Sequence, residues 1–218
     1  MMRRTLLTTA VVLITGAFAP AIPAGAGADP ATFINNLSNQ VHVLVRNTSP
    51  EQKLAGFREL FREYFDVPGL GRFVLGRFWR ILTPSEQQEF LGLFENYVVH
   101  TYSDRLSEYD RDGGALRVTG SRPDPDGAIV SSEIIRGSGR GQGVQPIKID
   151  WRLTAYNGGY KISDVIIDGI SMAVTGRSEL AGVAERNGGQ PQAILAVMRQ
   201  ESANSVICWS ENGRISCR

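Results

Sequence analysis

Chemistry in this chain of 218 residues would have to be assembled from very few side chains. There are 2 histidines, His42 and His100, and 2 cysteines, Cys208 and Cys217. A zinc site needs three or four ligands, and neither histidine has a second His or Cys at metal spacing beside it. His100 sits next to an apolar helical stripe and reads as a partly buried core residue. Both cysteines lie in the closing segment CWSENGRISCR, which argues against a Cys–His nucleophile. In an oxidising compartment they have two readings, a disulfide that closes the tail or a disordered tail with two free thiols. Gly169-Ile170-Ser171-Met172-Ala173 imitates a nucleophile elbow, but that arrangement needs an Asp and a His further along the chain. No histidine follows Ser171, so it reads as a turn or helix-start residue. Asp164 and Asp168 alternate onto one strand face near its end and read as solvated carboxylates. The run GSGRGQG at 137–143 lacks G-x-G-x-x-G spacing and joins two strands, which does not make a phosphate cradle. The residues present assemble no catalytic, metal or cofactor site, and the reading is a protein without enzymatic activity.

The elements that would position any other function fall in a simple order. Apolar residues at helical spacing mark helices over Ala31–Arg46, from Pro50 to Phe65, and from Pro84 to about Tyr109. Ser49-Pro50-Glu51-Gln52 and Thr83-Pro84-Ser85-Glu86 are capping-box starts. Between them GRFVLGRFWRIL at 71–82 predicts a short helix with apolar residues on two sides: Leu70, Val74 and Ile81 on one, Leu75 and Trp79 on the other. After Gly114 the period changes from 3.6 to 2, and Ile147, Ile149, Trp151 and Leu153 alternate cleanly. Asn157-Gly158-Gly159 is a hairpin turn. Val165, Ile166 and Ile167 are consecutive, so that strand is apolar on both faces. Helical patterns return at about 174–185 and 191–200. The order predicts an α+β fold: N-terminal helices on an antiparallel sheet, then C-terminal helices. The surplus apolar faces require either another helix layer or a lined cavity between sheet and helices.

Arg3 and Arg4, the apolar run Leu6–Phe18 and the small residues that follow predict a secretory signal peptide over residues 1–28, with Ala24-Gly25-Ala26 and Ala26-Gly27-Ala28 as cleavage patterns. Residues 29–202 then form the folded domain and 203–218 a tail. Charge is nearly balanced, 23 basic against 22 acidic residues, which gives no electrostatic reason to bind nucleic acid.

Several blocks carry a family resemblance in the same order over about residues 31–200. They are Tyr64-Phe65-Asp66, GRFVLGRFWRILTPSEQQEFLGLFENYVVHTYSDRLSEY, IKIDWRL and YKISDVIIDGISMAVTGRSEL, and the chain thereby resembles the MlaC family, the periplasmic phospholipid-binding or toluene-tolerance auxiliary proteins. The resemblance implies an NTF2-like helix-and-sheet part and a soluble, monomeric periplasmic carrier. Such a carrier moves phospholipid between an outer-membrane lipoprotein-porin complex and an inner-membrane ABC transporter complex. Members related to hopanoid neighbourhoods make a polycyclic isoprenoid lipid the nearest rival ligand. Burying an acyl tail of about fifteen methylenes is worth on the order of 12 kcal/mol, so it needs a deep apolar pocket. The residues expected to line it are Val74, Leu75, Phe78 and Trp79, with Tyr97, Val98 and Tyr102 of the long helix. Trp151, Ile166, Ile167, Ile170 and Met172 are expected from the sheet and its exit, Met172 for its adaptable thioether. Each has plain core packing as its alternative. Arg72, Arg77 and Arg80 are candidates for the head-group phosphate, with a solvated basic face as the other reading. Two further classes compete: an enzyme using an NTF2-like pocket on an apolar substrate, and an interaction module of a transporter that holds no ligand.

Overall fold

Most of the helices begin where the sequence offers a side chain to cap them. In the computed structural model, which describes residues 29–111, 115–135 and 145–207, Asp29 accepts from the Thr32 amide at the head of α1 (Pro30–Asn47). Ser49 and Gln52 form a reciprocal capping box on α2 (Pro50–Tyr64). Asp66 caps α3 (Val67–Leu75), and Thr83 and Glu86 exchange hydrogen bonds at the head of α4 (Pro84–Arg111). Glu95 of α4 accepts from Arg58 Nη1 at 2.8 Å and pairs with Arg62 Nη2 at 2.9 Å, which ties α2 to α4.

The helix expected over Gly71–Leu82 is broken in the middle. Gly76 takes φ 54° and ψ −122°, and a 3-10 turn, Gly76–Arg80, follows. That backbone conformation is open to glycine and strained for other residues. The bend redirects the side chains: Val74, Leu75 and Phe78 enter one core at 4% exposure or less, while Phe73 and Ile81 are 41% and 59% exposed. The second apolar side of this segment therefore arises from a bend that turns two helical faces into the same core.

Five strands form an antiparallel meander in chain order: β1 (Ala115–Asp124), β2 (Gly127–Ile135), β3 (Ile147–Tyr156), β4 (Gly159–Ile167) and the short β5 (Ile170–Ser171). Asn157 and Gly158, at φ 47° and 78°, make the tight turn between β3 and β4. Two helices close the described chain, α5 (Met172–Arg186) and α6 (Gln192–Ile207). The sequence pattern ended the last helix at Gln200 and began a tail at Ala203. The helix continues because nothing between Glu201 and Ile207 is proline or glycine. Residues 1–28, expected to be a signal peptide, and Cys208 and Cys217 lie outside the described residues.

Two apolar clusters hold these elements together. One joins Phe61, Val74, Leu75, Phe78, Phe90, Ile194 and Leu195 among the helices; the other sets Ile34, Leu37, Leu60 and Tyr64 of α1 and α2 on Val130, Leu153 and Ile162 of the sheet. Phe65 packs against both. It also makes a parallel bridge with Ile162, and the Asp66 amide donates to the Ile162 carbonyl at 3.0 Å. The α2–α3 joint is thus stitched to β4 on the side away from β3. Among the described residues no helix is long and apolar enough to cross a membrane.

Candidate functional site

Directly opposed residues of neighbouring strands project to one face of a sheet. The registers Val130–Trp151–Val165 and Ser132–Ile149–Ile167 place these six side chains together, and Leu153 with Ile162 and Leu116 with Ile134 extend the same face. The opposite face is polar: Arg117 pairs with Glu133 at 2.9 Å and Arg122 with Asp150 at 3.3 Å. Helices α1 and α2 cover Val130, Leu153 and Ile162. Trp151 and Val165 pack at the edge of that cluster, and further along the apolar face Ile134, Ile147 and Ile167 are only half-buried, although each is large and apolar. Trp151 is held in place. Its Nε1 donates to Ser132 Oγ at 2.9 Å, and Ser132, 2% exposed, donates onward to the Ile149 carbonyl at 3.2 Å. A buried hydroxyl on an otherwise apolar face thereby orients the indole.

The residues expected around a tail pocket divide into three sets. Val74, Leu75 and Phe78 interdigitate in the helical core, with Trp79 and Val98 packed against it. Trp151 and Ile167 share the apolar sheet face, while Tyr102 and Met172 are half-buried on α4 and at the start of α5. Tyr97 and Ile170 are more open, at 37% and 60% exposure. Ile166 opposes Asp150 and Ser171, so it projects to the polar face and cannot share a wall with Trp151 and Ile167. Among the described residues, two of the clefts have linings that bear on this expectation. One, of about 450 Å³, lies between α1 and α2 along Val43, Leu44, Gly56 and Leu60. The other, of about 850 Å³, is of mixed polarity, lined by Arg58, Arg62, Phe65, Glu95, Lys161 and others. Neither contains any residue expected to line a tail pocket.

The polar candidates take definite positions as well. Arg72 lies 5.5 Å from the Trp79 ring centroid and Arg77 lies 4.9 Å from that of Phe78, and Arg77 also pairs with Glu185 at 2.9 Å. Arg80 is exposed. Ser171 is the N-cap of α5, accepting from the Val174 amide at 3.0 Å. Asp164 departs from the reading as a solvated strand end: it is 5% exposed and accepts from Ser171 Oγ at 2.6 Å and from the Ala173 amide at 3.1 Å. Its carboxylate is drawn inward because those donors at the head of α5 replace water. Asp168 remains exposed, and its Oδ1 accepts from the Lys148 amide. His42 and His100 lie on different helices, α1 and α4. Among the described residues no group of three or more His, Cys, Asp and Glu side chains is placed to hold a metal ion. Sequence reading passed over Val165, Ile149 and Ser132 as site residues. Their signal was parity: each lies on the face that Trp151 occupies.

The architecture is that of a helix-wrapped antiparallel meander with one apolar and one polar face. Residues 35–200 match the MlaC protein family, and the chain belongs to it. The toluene tolerance protein ttg2D of Pseudomonas putida is 25% identical over 124 residues, which cover 56% of this chain and 55% of that protein. The match thus spans about half the length of this curated relative. A phospholipid-binding protein of Ralstonia solanacearum, solved in complex with a phospholipid, superposes with a TM-score of 0.67 at 20% identity, over 82% of this chain and 99% of that one. That likeness shows the shared fold.

Proposed function

We propose that this protein is a periplasmic phospholipid carrier without enzymatic activity. It takes acyl tails against the apolar sheet face and shuttles lipid between outer-membrane and inner-membrane ABC transporter complexes. The observation that carries the reading is the run of half-buried Ile134, Ile147 and Ile167 beyond the part of the sheet that α1 and α2 cover, bordered by Trp151 and Val165, which pack at the edge of that covered part. Apolar surface left half-open is stabilised by further apolar contact at about 25 cal/mol per Å², and a saturated chain supplies such contact without specific polar groups. Val98, Tyr102 and Met172, with Val74, Leu75, Phe78 and Trp79 of the helical core, are the further side chains that would meet the tails. Membership of the MlaC family and the phospholipid complex of the Ralstonia protein support the ligand class.

Organic extraction of purified protein followed by mass spectrometry tests the proposal. Stoichiometric phospholipid is the expected result, and a polycyclic isoprenoid in its place would move the protein to the rival ligand. Well-folded protein that is reproducibly lipid-free would overturn the carrier reading in favour of an interaction module.

A further inference from the structure

The outer surface of α3, the 3-10 turn and the first turns of α5 carries a combination of side chains that a lipid pocket does not explain. Arg72, Arg77, Arg80 and Arg177 are all exposed on these elements. Three of their guanidinium groups lie over aromatic rings: Arg72 over Trp79, Arg77 over Phe78, and Arg177 over Phe73 at 5.3 Å. Arg177 also closes on Gly76, its Nε 2.8 Å from where a Cβ would stand, which joins the α5 side of the surface to the α3 side. Only Arg77 of the four has an acidic partner among the described residues, the exposed Glu185. On the same elements Phe73, Ile81 and Val174 are exposed by 41%, 59% and 52%. Val174 precedes Arg177 by one helical turn and so shares its face of α5.

A single exposed isoleucine is ordinary, but several bulky apolar side chains interleaved with guanidiniums, three of which have no acidic partner among the described residues, are a different surface. Guanidiniums laid on rings keep their N–H edges directed outward and lose little freedom on meeting phosphate. Apolar side chains between them suit the boundary between head groups and acyl chains. The whole chain is nearly neutral, so the positive character belongs to this face and not to the molecule. We propose that this face docks the protein onto a bilayer surface that displays anionic phospholipid. The arginines expected to meet a carried head group would then meet the head groups of the membrane. The inference rests on the carrier reading, because a lipid carrier has to come within reach of lipid. It adds where the molecule touches and what chemistry attracts it. An acidic protein surface would satisfy the cations equally, but it would leave Phe73, Ile81 and Val174 without the apolar environment that a bilayer provides.

Flotation of the full protein with vesicles tests this. Vesicles of phosphatidylcholine alone and of phosphatidylcholine mixed with phosphatidylglycerol are compared, at low and high salt. Binding to the anionic vesicles should exceed binding to the neutral ones by roughly tenfold and should fall with salt, as attraction between exposed charges does. The double variant Arg177→Glu with Ile81→Ser should lose most of that binding. A second variant, Ile81→Ser with Val174→Ser, avoids the packed arginine and should weaken binding while keeping the wild-type melting temperature. Equal binding to both vesicle types would overturn the proposal. So would unchanged binding by both variants, or retention on immobilised polyglutamate with no flotation, which would point to an acidic protein partner. Lipid extracted from the same preparations separates the two readings. Protein that carries lipid but ignores vesicles sinks the docking face alone, whereas lipid-free protein that floats sinks the carrier and leaves the face standing.

Discussion

The carboxylate of Asp164 is buried, and the Ser171 hydroxyl and Ala173 amide stand in for the water it loses. Replacing it by alanine leaves both donors at the head of α5 without this partner. Asp164→Ala should cost about 1–3 kcal/mol in urea-unfolding free energy, more than the loss of an exposed cap. Glu95 adds a pH dependence. Burial pushes its carboxyl up, but hydrogen bonds from Arg62 and Arg58 together hold it below its ordinary value of 4.5. A carboxyl depressed by folding contributes stability that is present above the unfolded value and lost as pH falls through the folded one. Unfolding free energy should therefore begin to fall near pH 4.5 and decline further below it. In Glu95→Gln that slope should be shallower and stability at neutral pH lower, as denaturant titrations across the acid range would show.

At the scale of elements, the α3 bend governs which side chains the helical core receives. Alanine at Gly76 would have to take φ 54° and would set its Cβ 2.8 Å from Arg177 Nε. Gly76→Ala should destabilise by about 1–3 kcal/mol from backbone strain, read as a lower melting temperature. Periodicity alone could not find this bend, because it projects residues onto a straight axis and a single left-handed glycine rotates every later position. The helix caps were legible for the opposite reason. A capping box is satisfied within four residues, so Ser49 with Gln52 and Thr83 with Glu86 needed no distant partner. Residues after Gln200 lack an apolar stripe, so periodicity ends the last helix there, although nothing in them stops a helix and it runs on to Ile207.

For the whole molecule, the apolar face of the sheet is what a carrier would use. Ile167→Asp puts a carboxylate beside Trp151 and Val165, where an ionised group in an acyl-chain environment is costly. Co-purified phospholipid should drop well below that of wild type, with Ile166→Asp on the polar face as the matched comparison that keeps it. Ser132→Ala releases the Trp151 indole and should shift its fluorescence to longer wavelength. Alternation of Ile147, Ile149, Trp151 and Leu153 was already visible in the chain, so the existence of an apolar face was predictable. The consecutive Val165, Ile166 and Ile167 predict a strand that is apolar on both faces. Register then separates them, Ile166 beside Asp150 and Ile167 beside Ile149.

Sequence by itself determined where most helices begin, that an antiparallel sheet lies between two helical groups, and which family the chain resembles. These follow from local hydrogen bonds, from periods of 3.6 and 2, and from residue order, none of which needs a distant contact. Tertiary structure alone decided that Val74, Leu75 and Phe78 share a core, that Asp164 is buried, and that Arg177 lies over Phe73 and against Gly76. Those facts depend on how elements far apart in the chain pack. A one-dimensional pattern carries the tendency of a side chain to be buried, but not the identity of what buries it.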